Sequence, residues 1–270
     1  MSTASTIESP AYTPFIASNA NADATELRGR MDEQGYLFFR SLIPAEPILK
    51  LRREILELCR EAGWLDEGHD QMEAVLAPHV KPLAEGMPEY TALYRKVLQL
   101  PGFRDFPYQD AQMNVARKLV GDDVLVHARR IGRLNFPSYA FDPTPPHQDY
   151  FYIRGTTQTY SCWVPLGECP MSLGSLAVSP GSHQEGFIAH TANNPKAVVA
   201  VGVPVDEAKA DWHTSDFGLG DALFFHSYTI HKALPNQTRD RLRLSTDNRY
   251  QLNGDEIAPG SMEPHLPVRA

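Results

Sequence analysis

The 270-residue chain suits one large domain or two small ones, and 42% apolar residues can furnish a sizeable core. A formal net charge of −8 excludes a general binder of nucleic acid or of acidic membranes. The three cysteines, Cys59, Cys162 and Cys169, form no C-x-x-C pair, which excludes a disulfide framework and a cysteine zinc site and fits a reducing cytoplasm.

The chain opens on "MSTASTIESPAYTPFIASNANADATELRGR", which lacks the basic start and apolar run of a secretory leader. Its first 23 residues, rich in Ser, Thr, Ala and Asn, read as a flexible tail. No stretch is long and apolar enough to span a membrane. From 24 to 122 the pattern is mostly helical. "ATELRGRMDEQG" predicts a helix closed by Gly35, and "YLFFRSLI" a strand. "AEPILKLRREILELCREAG" places Ile48, Leu51, Ile55, Leu56 and Cys59 on one helical face. "YTALYRKVLQL" and "DAQMNVARKLVG" predict two more helices.

Over 123–252 the signal changes to short β-branched or aromatic runs separated by Gly, Pro, Asn and Asp. "DVLVHARRIGRLNF", "HQDYFYIRG", "QTYSCWVPL", "SLAVSPGS", "DALFFHSYTIHKA" and "RLRLSTDNRYQL" predict an antiparallel sandwich or barrel. An irregular interval over 184–219 reads as a lid, insertion or binding loop, and 253–270 as a surface tail.

Two residues apart on a strand share a face, so a strand beginning near His147 projects His147 and Asp149 together. An imidazole and a carboxylate, completed by a second imidazole, make a facial triad that leaves octahedral iron(II) open to co-substrate and O₂. An H-x-D triplet alone is common by chance, and His183 and Glu185 in "SHQE" have the same spacing. Context favours His147, which opens an aromatic run, whereas His183 closes the turn "SPGSH". The third ligand is His226 or His231. Their odd separation turns them to opposite faces of a regular strand, so only one can join. In the last strand Arg241, Arg243 and Ser245 alternate on one face. Turned inward they imply an anionic ligand; turned outward they are an ordinary edge row.

Together these pieces resemble the phytanoyl-CoA dioxygenase family of Fe(II)- and 2-oxoglutarate-dependent oxygenases. The carriers run in order: "EQGYLFFRSLIPAEPILKLRREI", "TPPHQD", "CWVPLGECPMSLGSLAVSPGSH", "GDALFFHSYTIHKALPN" and "RLRLSTDNRYQ". The resemblance implies a mainly β fold with flanking helices, a cupin-like double-stranded β-helix or jelly roll, as one oxygenase domain over 24–270. It assigns His147, Asp149 and His231 to the metal, since the family's distal histidine has an asparagine five residues on, as Asn236 is here. It gives Arg241, with Arg243 in reserve, to the far carboxylate of 2-oxoglutarate, and Trp163 to the wall of that pocket. Where the family often has a small hydroxyl residue this chain has Ala233, so Thr159 or Ser245 must supply a polar contact. The aspartate at 149 favours oxygen insertion over halogenation, because related halogenases have a small residue there.

The implied activity is hydroxylation, or another oxidation, of an unactivated C–H of a small organic molecule, with O₂ consumed and succinate and CO₂ released. Arg129, Arg130, Arg133, Tyr150 and Tyr152 are candidates to line the substrate pocket, Arg133 and the two tyrosines foremost, together with the 184–219 interval. Two other classes fit the residues: a metal-binding jelly roll with chemistry that needs no 2-oxoglutarate, and a non-catalytic ligand-binding homologue. The sequence assigns no oligomeric state.

Overall fold

A computed structural model describes residues 12–192, 201–207 and 209–266. The N-terminal half contributes β1 (Tyr12–Pro14), α1 (Ala24–Gln34), β2 (Tyr36–Phe39), α2 (Ala45–Glu61), α3 (Pro88–Val97), α4 (Pro101–Asp105) and α5 (Asp110–Val120). The rest gives β3 (Val124–Val126), β4 (Ile131–Asn135), α6 (Tyr150–Ile153), β5 (Tyr160–Pro165), β6 (Leu176–Val178), β7 (Thr191–Ala192) and β8 (Val201–Gly202). It ends with β9 (Trp212–Thr214), β10 (Ala222–His226), β11 (His231–Ala233) and β12 (Arg243–Leu252). Among the described residues no helix is long and apolar enough to cross a membrane.

Two sheets face one another, as a jelly roll requires. The larger runs β2-β10-β5-β12-β3, with β4 also paired to β12, and the smaller runs β1-β9-β6-β11. Strand parity decides what each side buries. Leu37, Phe39, Cys162, Val164, Ala222 and Phe224 point out of the larger sheet into a core shared with the helices. There they meet Leu51, Ile55 and Cys59 of α2, Leu93 and Val97 of α3, and Val115 and Leu119 of α5, the faces that helical spacing marks as apolar. Tyr36, Phe38, Trp163, Leu223 and Phe225 point the other way, into the space between the sheets. The helices therefore support the back of the larger sheet and leave its inner face for chemistry.

Residues 12–23 are built into this fold and are not a tail. β1 pairs in parallel with β9, and Phe15 packs on Phe38 at a ring separation of 4.9 Å. Asp23 caps α1 by accepting the Glu26 N–H (2.9 Å). Residues 1–11 lie outside the described residues. The 184–219 interval supplies β9 to the smaller sheet, and none of its described residues lines the pocket of the metal centre. Its residues 193–200 and 208 lie outside the described residues, as do 267–270.

Two of the anticipated strands are different in kind. "HQDYFYIRG" forms only one bridge, at His147, and then turns into α6. The aromatic residues that suggested a strand pack instead on loops: Tyr150 on Tyr228 at 4.8 Å, and Phe151 stacked on His190 at 4.3 Å. "DALFFHSYTIHKA" is two strands, β10 of the larger sheet and β11 of the smaller, joined by a turn at 227–230. The turn carries the chain across the sandwich, so the parity of His226 and His231 along one strand does not apply.

Candidate metal centre

His147, Asp149 and His231 converge, each offering one ligand atom, with those atoms within 4.8 Å of one another. All three are buried. His231 opens β11, and His147 lies directly across from it in a two-way backbone bridge, with N–O distances of 2.9 and 3.0 Å. Directly paired residues present their side chains on the same side, which brings the rings to 4.1 Å between centroids. Asp149 joins them because α6 begins immediately after it. The chain bends at that point, and the carboxylate swings toward β12.

The nitrogens available to a metal are fixed by the hydrogen bonds of the others. His147 Nδ1 lies 2.8 Å from the Pro145 carbonyl, and His231 Nδ1 lies 3.0 Å from the Thr229 carbonyl. A carbonyl oxygen can only accept, so both Nδ1 atoms carry hydrogen and both Nε2 atoms present lone pairs. Burial, and then the neighbouring His231, pushes the His147 imidazole well below its usual range, and burial lowers that of His231. Both are therefore neutral, as ligands must be.

Asp149 is held as a carboxylate by a residue that the sequence reading did not single out. Burial works to raise its pKa, but the Arg249 guanidinium holds it well below the usual carboxylate range. Arg249 donates from Nη2 to Oδ1 (3.0 Å) and from Nε to Oδ2 (3.2 Å), and the Ser161 hydroxyl also donates to Oδ2. The signal for Arg249 was available, since it shares odd parity with Arg241, Arg243 and Ser245 along the same run. A neutral two-imidazole, one-carboxylate set with bare Nε2 atoms fits iron(II).

The centre opens on a cleft. Trp163, Arg243 and Ala233 line it. Arg243 is 4% exposed, with its guanidinium 5.6 Å from the Trp163 ring centre and one donor on the Ser245 hydroxyl. Its Nε has no hydrogen-bond partner, and no carboxylate among the described residues is within ion-pair distance of it. A buried cation with a free donor fits the far carboxylate of 2-oxoglutarate. The Asn135 amide nitrogen, also on the wall, is likewise buried and unpartnered.

Arg241, the first choice from sequence for that carboxylate, is placed elsewhere. It is exposed and precedes β12, bridging Val75 outside the cleft. The Asn236 amide donates to the Arg241 carbonyl (2.8 Å), which holds a turn there and delays the strand by two residues. Thr159 is buried away from the cleft, with its hydroxyl facing the Thr156 carbonyl (3.4 Å). Tyr150 packs on Tyr228 and Phe187 outside the cleft. Tyr152 sets its ring 5.8 Å from that of His147 but is 37% exposed and off the cleft wall. Arg133 lines the cleft; Arg129 and Arg130 do not. His226 and His183 are neighbours at 5.4 Å beside Gly35, away from the metal ligands.

Fold and site define a mononuclear non-haem iron oxygenase built on a jelly roll. A family model for phytanoyl-CoA dioxygenase matches residues 31–244, and the chain belongs to that family of Fe(II)- and 2-oxoglutarate-dependent enzymes. The chain is 30% identical over 232 residues to 1-deoxypentalenic acid 11-beta-hydroxylase of Streptomyces arenae, covering 82% of this chain and 78% of the relative. It is 23% identical over 256 residues to the peroxisomal phytanoyl-CoA dioxygenase of Homo sapiens, covering 88% and 72%. Among solved structures, the epimerase SnoN, in complex with Fe3+, alpha ketoglutarate and nogalamycin RO, has a TM-score of 0.63 at 22% identity, covering 87% of this chain and 86% of that one. The carbocyclase SnoK has a TM-score of 0.62 at 19% identity, covering 95% and 97%. These likenesses extend the same fold over most of the chain.

Proposed function

We propose that His147, Asp149 and His231 hold iron(II), that Arg243 with Ser245 and Trp163 seats 2-oxoglutarate, and that the chain hydroxylates a medium-sized, largely apolar organic molecule in the cytoplasm. The observation that carries the assignment is the pairing of two committed Nδ1–H groups with a buried, unpaired Arg243 in one cleft. Bound iron(II), with 2-oxoglutarate and O₂, supplies the oxidation, with succinate and CO₂ as co-products.

The chain's own residues do the rest. The carbonyls of Pro145 and Thr229 orient the imidazoles. Arg249 keeps Asp149 ionised and fixed. Arg243 sets the co-substrate's direction, and Trp163 and Phe225 exclude water behind it. Leu83, Phe141 and Leu176 line the cleft as an apolar wall on which a substrate with little hydrogen-bonding surface can rest.

The names of similar proteins support a small organic substrate. The Streptomyces arenae protein is named for hydroxylating 1-deoxypentalenic acid, and the SnoN structure is named with nogalamycin RO. The test is succinate formation in air. It should require both iron(II) and 2-oxoglutarate, proceed slowly without substrate, and vanish in His147→Ala. Succinate formation that persists in that variant would contradict the assignment.

A further inference from the structure

Three arginines reach the cleft: Arg133, Arg243 and Arg249. Each is a potential anchor for an anionic group, so the charge a substrate can carry depends on which of them is free. Arg249 is committed to Asp149 by two hydrogen bonds. Arg243, on the reading above, is committed to the far carboxylate of 2-oxoglutarate. Arg133 remains.

Arg133 is doubly paired. Its Nη1 lies 3.4 Å from Glu85 Oε2, and its Nε lies 3.3 Å from Asp247 Oδ2. Burial works against its charge, but Asp247 and then Glu85 more than offset this and leave its pKa raised. Both carboxylates line the cleft themselves, so the cluster presents two negative charges around one positive one. Glu85 is also held from behind: its Oε1 lies 3.4 Å from His265 Nε2, and His265 Nδ1 faces the Tyr94 hydroxyl at 3.0 Å. The C-terminal segment thus backs a carboxylate onto the pocket wall.

We propose that the cleft selects a substrate that brings no anionic group to the metal, and that Glu85 is the residue that sets this preference. The inference rests on the assignment of Arg243 to the co-substrate. A carboxylate entering the substrate half meets Glu85 and Asp247 at close range and finds no uncommitted cation among the described residues that line the cleft, so it is repelled as well as unpaired. An uncharged molecule of the same shape meets no such repulsion and can rest on the apolar wall. This separates the chain from its Streptomyces relative, which is named for an acid substrate.

The experiment compares two probes of one shape, 1-adamantanecarboxylate and 1-adamantanecarboxamide. Protein is loaded anaerobically with iron(II) and saturating 2-oxoglutarate, and the visible band of the chelate is recorded first. Each probe is then titrated, with binding read from the change in that band and by calorimetry. In wild type the carboxamide should bind at least tenfold more tightly than the carboxylate. In Glu85→Gln the carboxylate should gain at least tenfold while the carboxamide stays unchanged, and Arg133→Met added to Glu85→Gln should remove the gain. Glu85→Ala serves as a second variant should the glutamine form fail to fold. Wild type binding the carboxylate as tightly as the carboxamide overturns the inference. So does a carboxylate affinity that neither Glu85 variant moves. A chelate band that never forms is a different failure: it removes the co-substrate assignment itself, and the inference falls with it.

Discussion

Arg249 grips Asp149 through both carboxylate oxygens, Nη2 to Oδ1 at 3.0 Å and Nε to Oδ2 at 3.2 Å, from a strand 100 residues further along the chain. Both side chains are almost fully buried, at 3% and 6% exposure. The pair fixes the anionic ligand of the centre and keeps it charged. Arg249→Leu should lower iron(II) affinity about 10–100-fold, as loss of a supporting partner does at other metal sites. It should also cost about 3–5 kcal/mol of stability, because a buried charge is left alone. Arg249→Lys should retain part of the stability but lose the two-point grip. Metal titration and urea denaturation measure the two effects separately, and an unchanged iron affinity in Arg249→Leu would count against the positioning role.

Arg243 and Arg241 lie on the same run and are two residues apart, yet one is buried in the cleft and the other is exposed. Arg243→Met should raise the KM for 2-oxoglutarate by about tenfold to a hundredfold, the equivalent of about 1.5–3 kcal/mol for a charged hydrogen-bonded pair. Arg241→Met should leave it within about twofold. Initial rates across a 2-oxoglutarate series distinguish the two arginines, and the reverse pattern would return the role to Arg241.

Gln148, between the two motif ligands, is fully buried and has its amide satisfied. Its Nε2 donates to the Gly186 and Tyr228 carbonyls (both 2.8 Å), and its Oε1 accepts the Ile188 N–H (2.8 Å). Gln148→Glu replaces both donations with carboxylate–carbonyl repulsion and should be more damaging than Gln148→Ala. Thermal unfolding should place the two variants in that order below wild type. Equal midpoints for Gln148→Glu and wild type would contradict the role.

Burial pushes the imidazoles of His127 and His226 down to about 4. His226 Nδ1 accepts the Tyr228 N–H (3.0 Å), which it can do only while that nitrogen is unprotonated. In the unfolded chain each histidine titrates near 6.5, so between about pH 6.5 and 4 the unfolded state holds more protons than the folded state. Stability is therefore full above about pH 6.5 and falls as the pH drops through that window, at up to about 1.4 kcal/mol per pH unit for each histidine. Urea denaturation at pH 7.5 and pH 5 should show the loss, and His226→Asn should reduce it. Equal stability at the two pH values would contradict this account.

The helical layer was legible because α2, α3 and α5 carry clear apolar stripes, with Gly35 and Gly121 at the ends of α1 and α5. The three metal-binding candidates converge in the structure, although the local geometry differs from the strand that the spacing predicts. His147 and His231 meet as cross-strand partners, and Asp149 arrives by way of a helix turn. Aromatic residues in "YFYI" fit a strand or a packed helical turn equally well, and only the loops that receive them decide. The arginine strand was read in the right parity but started too early, because the turn held by Asn236 is a tertiary feature. Glu85 left no trace in the pattern. It comes from an irregular segment before α3, and its partners, Arg133 and His265, are distant in sequence.

The central claim is that one cleft binds iron(II) through His147, Asp149 and His231 and then binds 2-oxoglutarate against Arg243. Its most direct measurement is an anaerobic titration of the protein with iron(II) and 2-oxoglutarate, followed in the visible range. The account predicts a weak charge-transfer band that saturates at one equivalent of iron, disappears in His147→Ala and His231→Ala, and needs much more 2-oxoglutarate in Arg243→Met. A wild-type protein that gives no band, or a band that survives loss of either histidine, would contradict it.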